Sequence, residues 1–115
     1  MEQQNNKEHL HILWTNADVT TAKLMVMMYA RNAMKNGWWK EVTVVVWGAT
    51  VKLLAENEEL QEELKRAFGV KFTGCIACAE ELNLADKMKE IGLDLYIWGP
   101  PLTELIKSGA PLLTI

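Results

Sequence analysis

Two cysteines, Cys75 and Cys78, are the residues best placed to do covalent chemistry. They stand in the segment Gly74-Cys75-Ile76-Ala77-Cys78, between a short strand-like run and a helical pattern. At such a junction, unpaired N–H groups and the positive end of the helix dipole lower a thiol's pKa and favour the nucleophilic thiolate. A lone cysteine is more often a small buried hydrophobe; a C-x-x-C pair at a strand-to-helix junction points to reactivity. In a reducing compartment that spacing serves redox, sulfur or metal chemistry.

Metal binding is the weakest of the three. A zinc site needs four ligands, and the only imidazoles are His9 and His11. They open the first strand, at its opposite end, roughly 15–20 Å from the cysteines at about 3.3 Å per residue. Both are expected to be surface residues there, and no metal or other cofactor is expected. A thioredoxin-like couple normally follows the first core strand of a mixed sheet, whereas this pair follows the third strand of a parallel one. Neither Gly48-Ala49-Thr50 nor Gly99-Pro100-Pro101 has the spacing of a phosphate loop. No Ser/His/Asp constellation can be assembled. Asp18 is the one acid expected near the cysteines, as a helix N-cap or a partner for substrate. Glu80-Glu81 is read as a first-turn match to the helix dipole.

The elements that must position these residues alternate strand and helix. His9–Thr15 reads as the first strand and Ala22–Lys35 as a helix closed by Asn36-Gly37. Glu41–Trp47 is the clearest strand, a β-branched run of the kind buried on both faces of a parallel sheet. Ala49–Glu56 is a helix, and Asn57 caps another. Val70–Thr73 is a third strand, followed by a helix over Ala77–Ile91 that Gly92 stops. Leu93–Trp98 is a fourth strand, Leu102–Lys107 a short helix, and Leu112–Ile115 a fifth strand. Five strands with intervening helices predict a three-layer α/β/α sandwich on a five-stranded parallel sheet.

Ligands of such sheets bind beyond the carboxyl ends of the strands. Thr15, Asn16 and Asp18, then Gly48, then the cysteine segment, then Gly99 and Pro100 should all meet at that edge. Trp14, Trp47 and Trp98 end the strands that enter these loops. They either fill the end of the core or wall a pocket around a thiol.

The 115 residues suffice for one domain, predicted over 9–115 behind a flexible stretch over 1–8. A net charge of −3 argues against nucleic acid as a partner. The longest apolar run, Val42–Val51, is too short to span a membrane. Met1–Glu8 has no apolar core of a signal peptide, so a soluble cytoplasmic protein is expected. From Leu24 to Ala30 no residue is charged, and a helix apolar on every side is buried on more than one. A second copy of the chain is the economical partner, with Trp38 and Trp39 either adding to that surface or splitting into one inward and one exposed ring.

Taken together, Cys75-Ile-Ala-Cys78-Ala79, the helix ending at Ile91-Gly92, Gly99-Pro100-Pro101-Leu102-Thr103-Glu104 and the terminal Leu112-Leu113-Thr114-Ile115 resemble the DsrE/DsrF-like family. The resemblance runs from His9 onward. It implies a three-layer α/β/α fold assembled as trimers or hexamers. It also implies sulfur relay, with a persulfide on the cysteine of the loop after the third strand, here Cys75, and sulfur donor and acceptor proteins as partners. Cys78 matches only some relatives, and would resolve the persulfide or trap Cys75 as a disulfide. A non-catalytic oligomeric module binding a small ligand, and a dithiol redox protein, are the competing readings.

Overall fold

The computed structural model describes residues 7–115. Most of the predicted flexible stretch, residues 1–6, lies outside the described residues. Glu8 is held in place, its carbonyl accepting the N–H of Lys40 at 3.0 Å and of Glu41 at 3.1 Å.

The strands are β1 (His9–Trp14), β2 (Glu41–Val46), β3 (Val70–Cys75), β4 (Asp94–Tyr96) and β5 (Leu112–Thr114). They form one parallel sheet in the order β4-β3-β2-β1-β5. The register is fixed by burial: His9 pairs with Glu41 and Trp14 with Val46, while Val46 also pairs with Gly74. The helices are α1 (Val19–Thr21), α2 (Met28–Lys35), α3 (Ala49–Glu56), α4 (Glu58–Arg66), α5 (Ile76–Glu81), α6 (Ala85–Ile91) and α7 (Gly99–Ser108). A π-helical stretch, Ala22–Met27, joins α1 to α2, with the Met28 N–H reaching the Lys23 carbonyl. The α/β/α sandwich read from the strand–helix alternation is the observed fold.

Alternation along the strands sends Leu10, Ile12, Trp14, Val42, Val44, Val46 and Phe72 to one face. There they pack with Ala22, Val26 and Met27, with Leu54 and Leu60, and with Met88 in the hydrophobic core. Leu60 reaches it because the Asn57 side chain caps α4, accepting the Leu60 N–H at 2.8 Å. The opposite face carries His9, His11, Thr43, Val45, Thr73 and Cys75. The step from β4 to β5 crosses the whole sheet in the reverse direction, so a right-handed crossover brings α7 to this face.

Several boundaries depart from expectation. Helix Ala77–Ile91 is two helices, because Asn83 adopts a left-handed φ of 59°. The Leu84 N–H then bonds the Ala79 carbonyl and the Asn83 N–H bonds the Glu80 carbonyl, which closes α5 as a Schellman motif. Glu80 and Glu81 consequently sit in the last turn of a helix, the unfavourable end for an acid, and not in the first. The final helix starts three residues early, at Gly99, with prolines in its first turn.

His9 and His11 are half-buried, not open to solvent as a strand entrance would leave them. Their rings stack at 4.1 Å, His9 Nε2 lies 2.8 Å from Thr43 Oγ1, and His11 meets Trp98 edge-on at 6.0 Å. His11 Nδ1 is buried without a hydrogen-bond partner. Burial, and secondarily the nearby His9, lower the His11 pKa to about 4. Unfolded His11 takes up its proton near pH 6.5, whereas folded His11 resists it until about pH 4. The unfolded state therefore binds more protons in that window, and stability is lost as pH falls through it. The loss is about 2 kcal/mol once partial exposure is discounted. Replacing His11→Phe should flatten the pH 7.5-to-4.5 slope of urea-unfolding stability by about that amount relative to wild type. A slope unchanged by the substitution would contradict this assignment.

Candidate functional site

Val46 and Gly74 are register partners, so the chain leaves β2 and β3 side by side at the carboxyl edge. Gly74 is small because β4 lies against it: a methyl there would stand 3.0 Å from Leu95 Cδ2. Past Val46, Trp47 turns into Gly48, which adopts φ 71° and ψ −130°, a backbone conformation that side chains strongly disfavour. Thr50 locks this turn: its hydroxyl accepts the Trp47 N–H at 3.1 Å and donates to the Trp14 carbonyl at 2.8 Å.

The turn sets the Gly48 backbone close to the Cys78 sulfur, where it favours the thiolate. Cys75 is the N-cap of α5 and only 6 % exposed, while Cys78, the third residue of α5, is half-buried. The two thiols are free, and Cys75 lies close enough to bear on the Cys78 proton. Burial first, then the neighbouring Cys75, push the Cys78 thiol above the ordinary cysteine range, although the Gly48 backbone pulls the other way. The expected lowering of this thiol by the helix start is therefore overturned, since desolvation outweighs the dipole of a six-residue helix. In front of Cys78 lies a recess of about 320 Å³ lined by Gly48, Ala49, Lys52, Cys78, Glu81 and Leu82.

Of the residues expected at this edge, Cys75, Cys78 and Gly48 come together, with Trp47 adjoining Gly48 in the chain. The others do different work. Trp14 is fully buried in the helical core, its indole N–H on the Asn16 carbonyl at 2.9 Å. Thr15 and Asn16 bond the Ile115 carbonyl, at the β5 side of the sheet. Asp18 is the N-cap of α1: its carboxylate accepts the Thr21 N–H at 2.9 Å, and that bond holds its pKa below the usual carboxylate value. Trp98 folds back across the sheet, its indole N–H on Thr73 Oγ1 at 3.1 Å. Gly99 and Pro100 are exposed in the first turn of α7. Lys52, Glu81 and Leu82 line the recess without having been expected there; the sequence signal for Glu81 and Leu82 was Asn83, which ends α5 beside them.

A compact parallel α/β domain with a dithiol at the carboxyl edge of its third strand is the class that fold and site define. No protein-family model matches the chain, and no curated protein matches it. A solved structure of a conserved protein of unknown function from Bacteroides thetaiotaomicron, BT1422, is 35 % identical, with a TM-score of 0.88 over 94 % of this chain and 95 % of that one. The chain belongs to the same family as BT1422. A protein of unknown function from Methanobacterium thermoautotrophicum, MTH1491, shares the fold, with a TM-score of 0.71 and 17 % identity over 93 % of this chain and 97 % of that one.

Gly48→Ala tests the site's geometry. Nothing crowds the new methyl, so the cost is backbone strain of about 1–2 kcal/mol in thermal or urea unfolding. Iodoacetamide should label Cys78 faster than Cys75, with a Cys78 rate still rising where free cysteine has levelled off. In Gly48→Ala that rise should move to higher pH. A Cys78 profile matching free cysteine would contradict the assignment.

Proposed function

We propose that the protein is a sulfur carrier that accepts sulfane sulfur at the open thiol, Cys78, and holds it as a persulfide on the sheltered thiol, Cys75. The observation that carries this reading is the contact between two free thiols of unequal exposure. The DsrE/DsrF-like resemblance of the cysteine segment supports it. The Cys78 thiolate attacks the outer sulfur of a donor persulfide, the donor's S–S bond breaks, and the donor leaves as its thiolate. Cys75 then attacks the same outer sulfur, restoring Cys78 as a thiol and leaving Cys75–S–SH for an acceptor protein. Each step moves a neutral sulfur atom between thiolates, so no outside oxidant is needed. Under this reading the protein works in a reducing cytoplasm, where such thiols stay free.

Incubation with a persulfidated sulfurtransferase should add one reducible sulfur to the wild type by intact mass. Cys78→Ser should load more than about tenfold more slowly, because only the buried thiol remains. Cys75→Ser should load but lose its sulfur faster to a soluble reductant. A Cys75–Cys78 disulfide forming with no sulfur gain would replace this reading with a dithiol redox protein.

Self-association through the first helical rod is part of the same proposal. Ala22, Val26, Met27 and Ala30 face the sheet, while Leu24 is 59 % exposed and Met25 and Met28 are each 38 % exposed. Lone exposed apolar residues are ordinary, but a cluster of them on the uncharged stretch from Leu24 to Ala30 supports a contact surface. Trp38 and Trp39 split as the second of their two readings had it. Trp39 turns inward to donate to Tyr29 Oη at 3.0 Å, while Trp38 stays exposed beside the Tyr29 ring. Sedimentation should show an oligomer that Leu24→Glu with Met28→Glu converts to a folded monomer. A monomeric wild type would contradict this.

A further inference from the structure

We propose that the recess in front of Cys78 receives the short, uncharged apolar arm of a small organic persulfide, whose outer sulfur passes to Cys78. This rests on the sulfur-carrier reading and names the donor class at that same site. The recess measures about 320 Å³ and its surface is almost wholly apolar. Ala49 and Leu82 supply side-chain carbon, and Gly48 leaves its part of the wall open, with nothing within 4 Å of where a Cβ would stand. Lys52 and Glu81, both exposed, line it with their methylene stems and keep their charges in solvent.

Small apolar surfaces are ordinary on proteins. This one is set apart by the sulfur in its wall, which belongs to the more open of two neighbouring free thiols. Leu82, the C-cap residue of α5, is 42 % exposed and takes no part in the hydrophobic core, so its side chain is available to a ligand. Burial already pushes the Cys78 thiol above the ordinary cysteine range, which shows how poorly a charge is solvated at this wall.

A donor carrying a charge inside the recess would lose hydration there and meet no polar partner in return. An uncharged arm loses nothing of the kind and gains by leaving water. The volume sits at the low end for small-molecule sites, which limits the arm to a few carbon atoms. In the transfer, Cys78 gives up its proton and the thiolate bonds the outer sulfur of R–S–SH as the donor S–S bond breaks. R–S⁻ leaves and takes up a proton, and Cys78–S–SH remains. The donor's inner sulfur is reduced as the Cys78 sulfur is oxidised, so no further reactant is required.

Symmetric disulfides are stable probes of the same approach. Diethyl disulfide has apolar arms, bis(2-hydroxyethyl) disulfide neutral polar ones, dithiodipropionate anionic ones and cystamine cationic ones. Each reacts with the Cys78 thiolate to give a mixed disulfide and one equivalent of thiolate. The Cys75→Ser protein keeps the adduct from being resolved, initial rates of the wild type check the ordering, and high salt screens bulk attraction. After correction for each probe's rate with a free thiol, diethyl disulfide should modify Cys78 about 5- to 10-fold faster than either charged probe, with the hydroxyl probe between. Ala49 is the exposed first residue of α3, where an acid suits the helix dipole, so Ala49→Asp should fold and bring a charge to the recess. In Ala49→Asp, and in Leu82→Asn, the apolar advantage should fall to about twofold or less. Equal corrected rates for the four probes, or an advantage untouched by both substitutions, would overturn the proposal. The carrier reading stands or falls separately on loading from the persulfidated sulfurtransferase: loading without apolar preference sinks only the subsite, and preference without loading sinks only the carrier.

Discussion

Pairing β2 with β3 in parallel puts Val46 opposite Gly74, so both chains leave the sheet at the same edge and in the same direction. The cysteine site depends on that register. Gly48 follows β2 by two residues and Cys78 follows β3 by three, which is why a backbone group of one loop lies on a sulfur of the other. A glycine with φ 71° is required because the turn must present its backbone to that sulfur, and Thr50 holds the turn to the end of β1. Three strands thus fix a contact between two thiols and one peptide group.

The two faces of the sheet are finished differently. Helices α1 to α6 bury the face bearing Ile12, Trp14, Val44 and Val46, and this face supplies most of the apolar core. The other face is covered by one helix, α7, none of whose residues is buried, and by the buried indole of Trp98. Trp98 is the N-cap residue of α7, so the abrupt start of that helix at Gly99-Pro100 turns its indole back over Thr73 and His11. Cys75 projects to this second face, two residues beyond Thr73, whereas Cys78 opens on the recess beside α3. The unequal exposure of the thiols follows from that arrangement, and in the proposed relay it would separate a receiving sulfur from a storing one.

Local signals carried much of this far. The β-branched run of β2, the Asn57 cap and the glycines closing helices are written in adjacent residues, and the elements they foretell are present. The junction bearing Cys75 and Cys78 was legible for the same reason. What was not legible depends on contacts between distant segments. The stacked His9–His11 pair is half-buried because Trp98 arrives from the start of α7, and the Cys78 thiol is raised because burial outweighs a short helix's dipole. Asn83 was a readable signal for the end of α5, and giving it weight would have put Glu81 at the wrong end of its helix and beside the cysteine.

The central claim is that sulfur enters at Cys78 and comes to rest on Cys75. The most direct measurement is peptide mapping of the wild-type protein at successive times after sulfur loading, with alkylation to fix each persulfide in place. The account requires the added sulfur on Cys78 at the earliest times and on Cys75 later. Sulfur appearing first on Cys75, or remaining on Cys78 throughout, would contradict it.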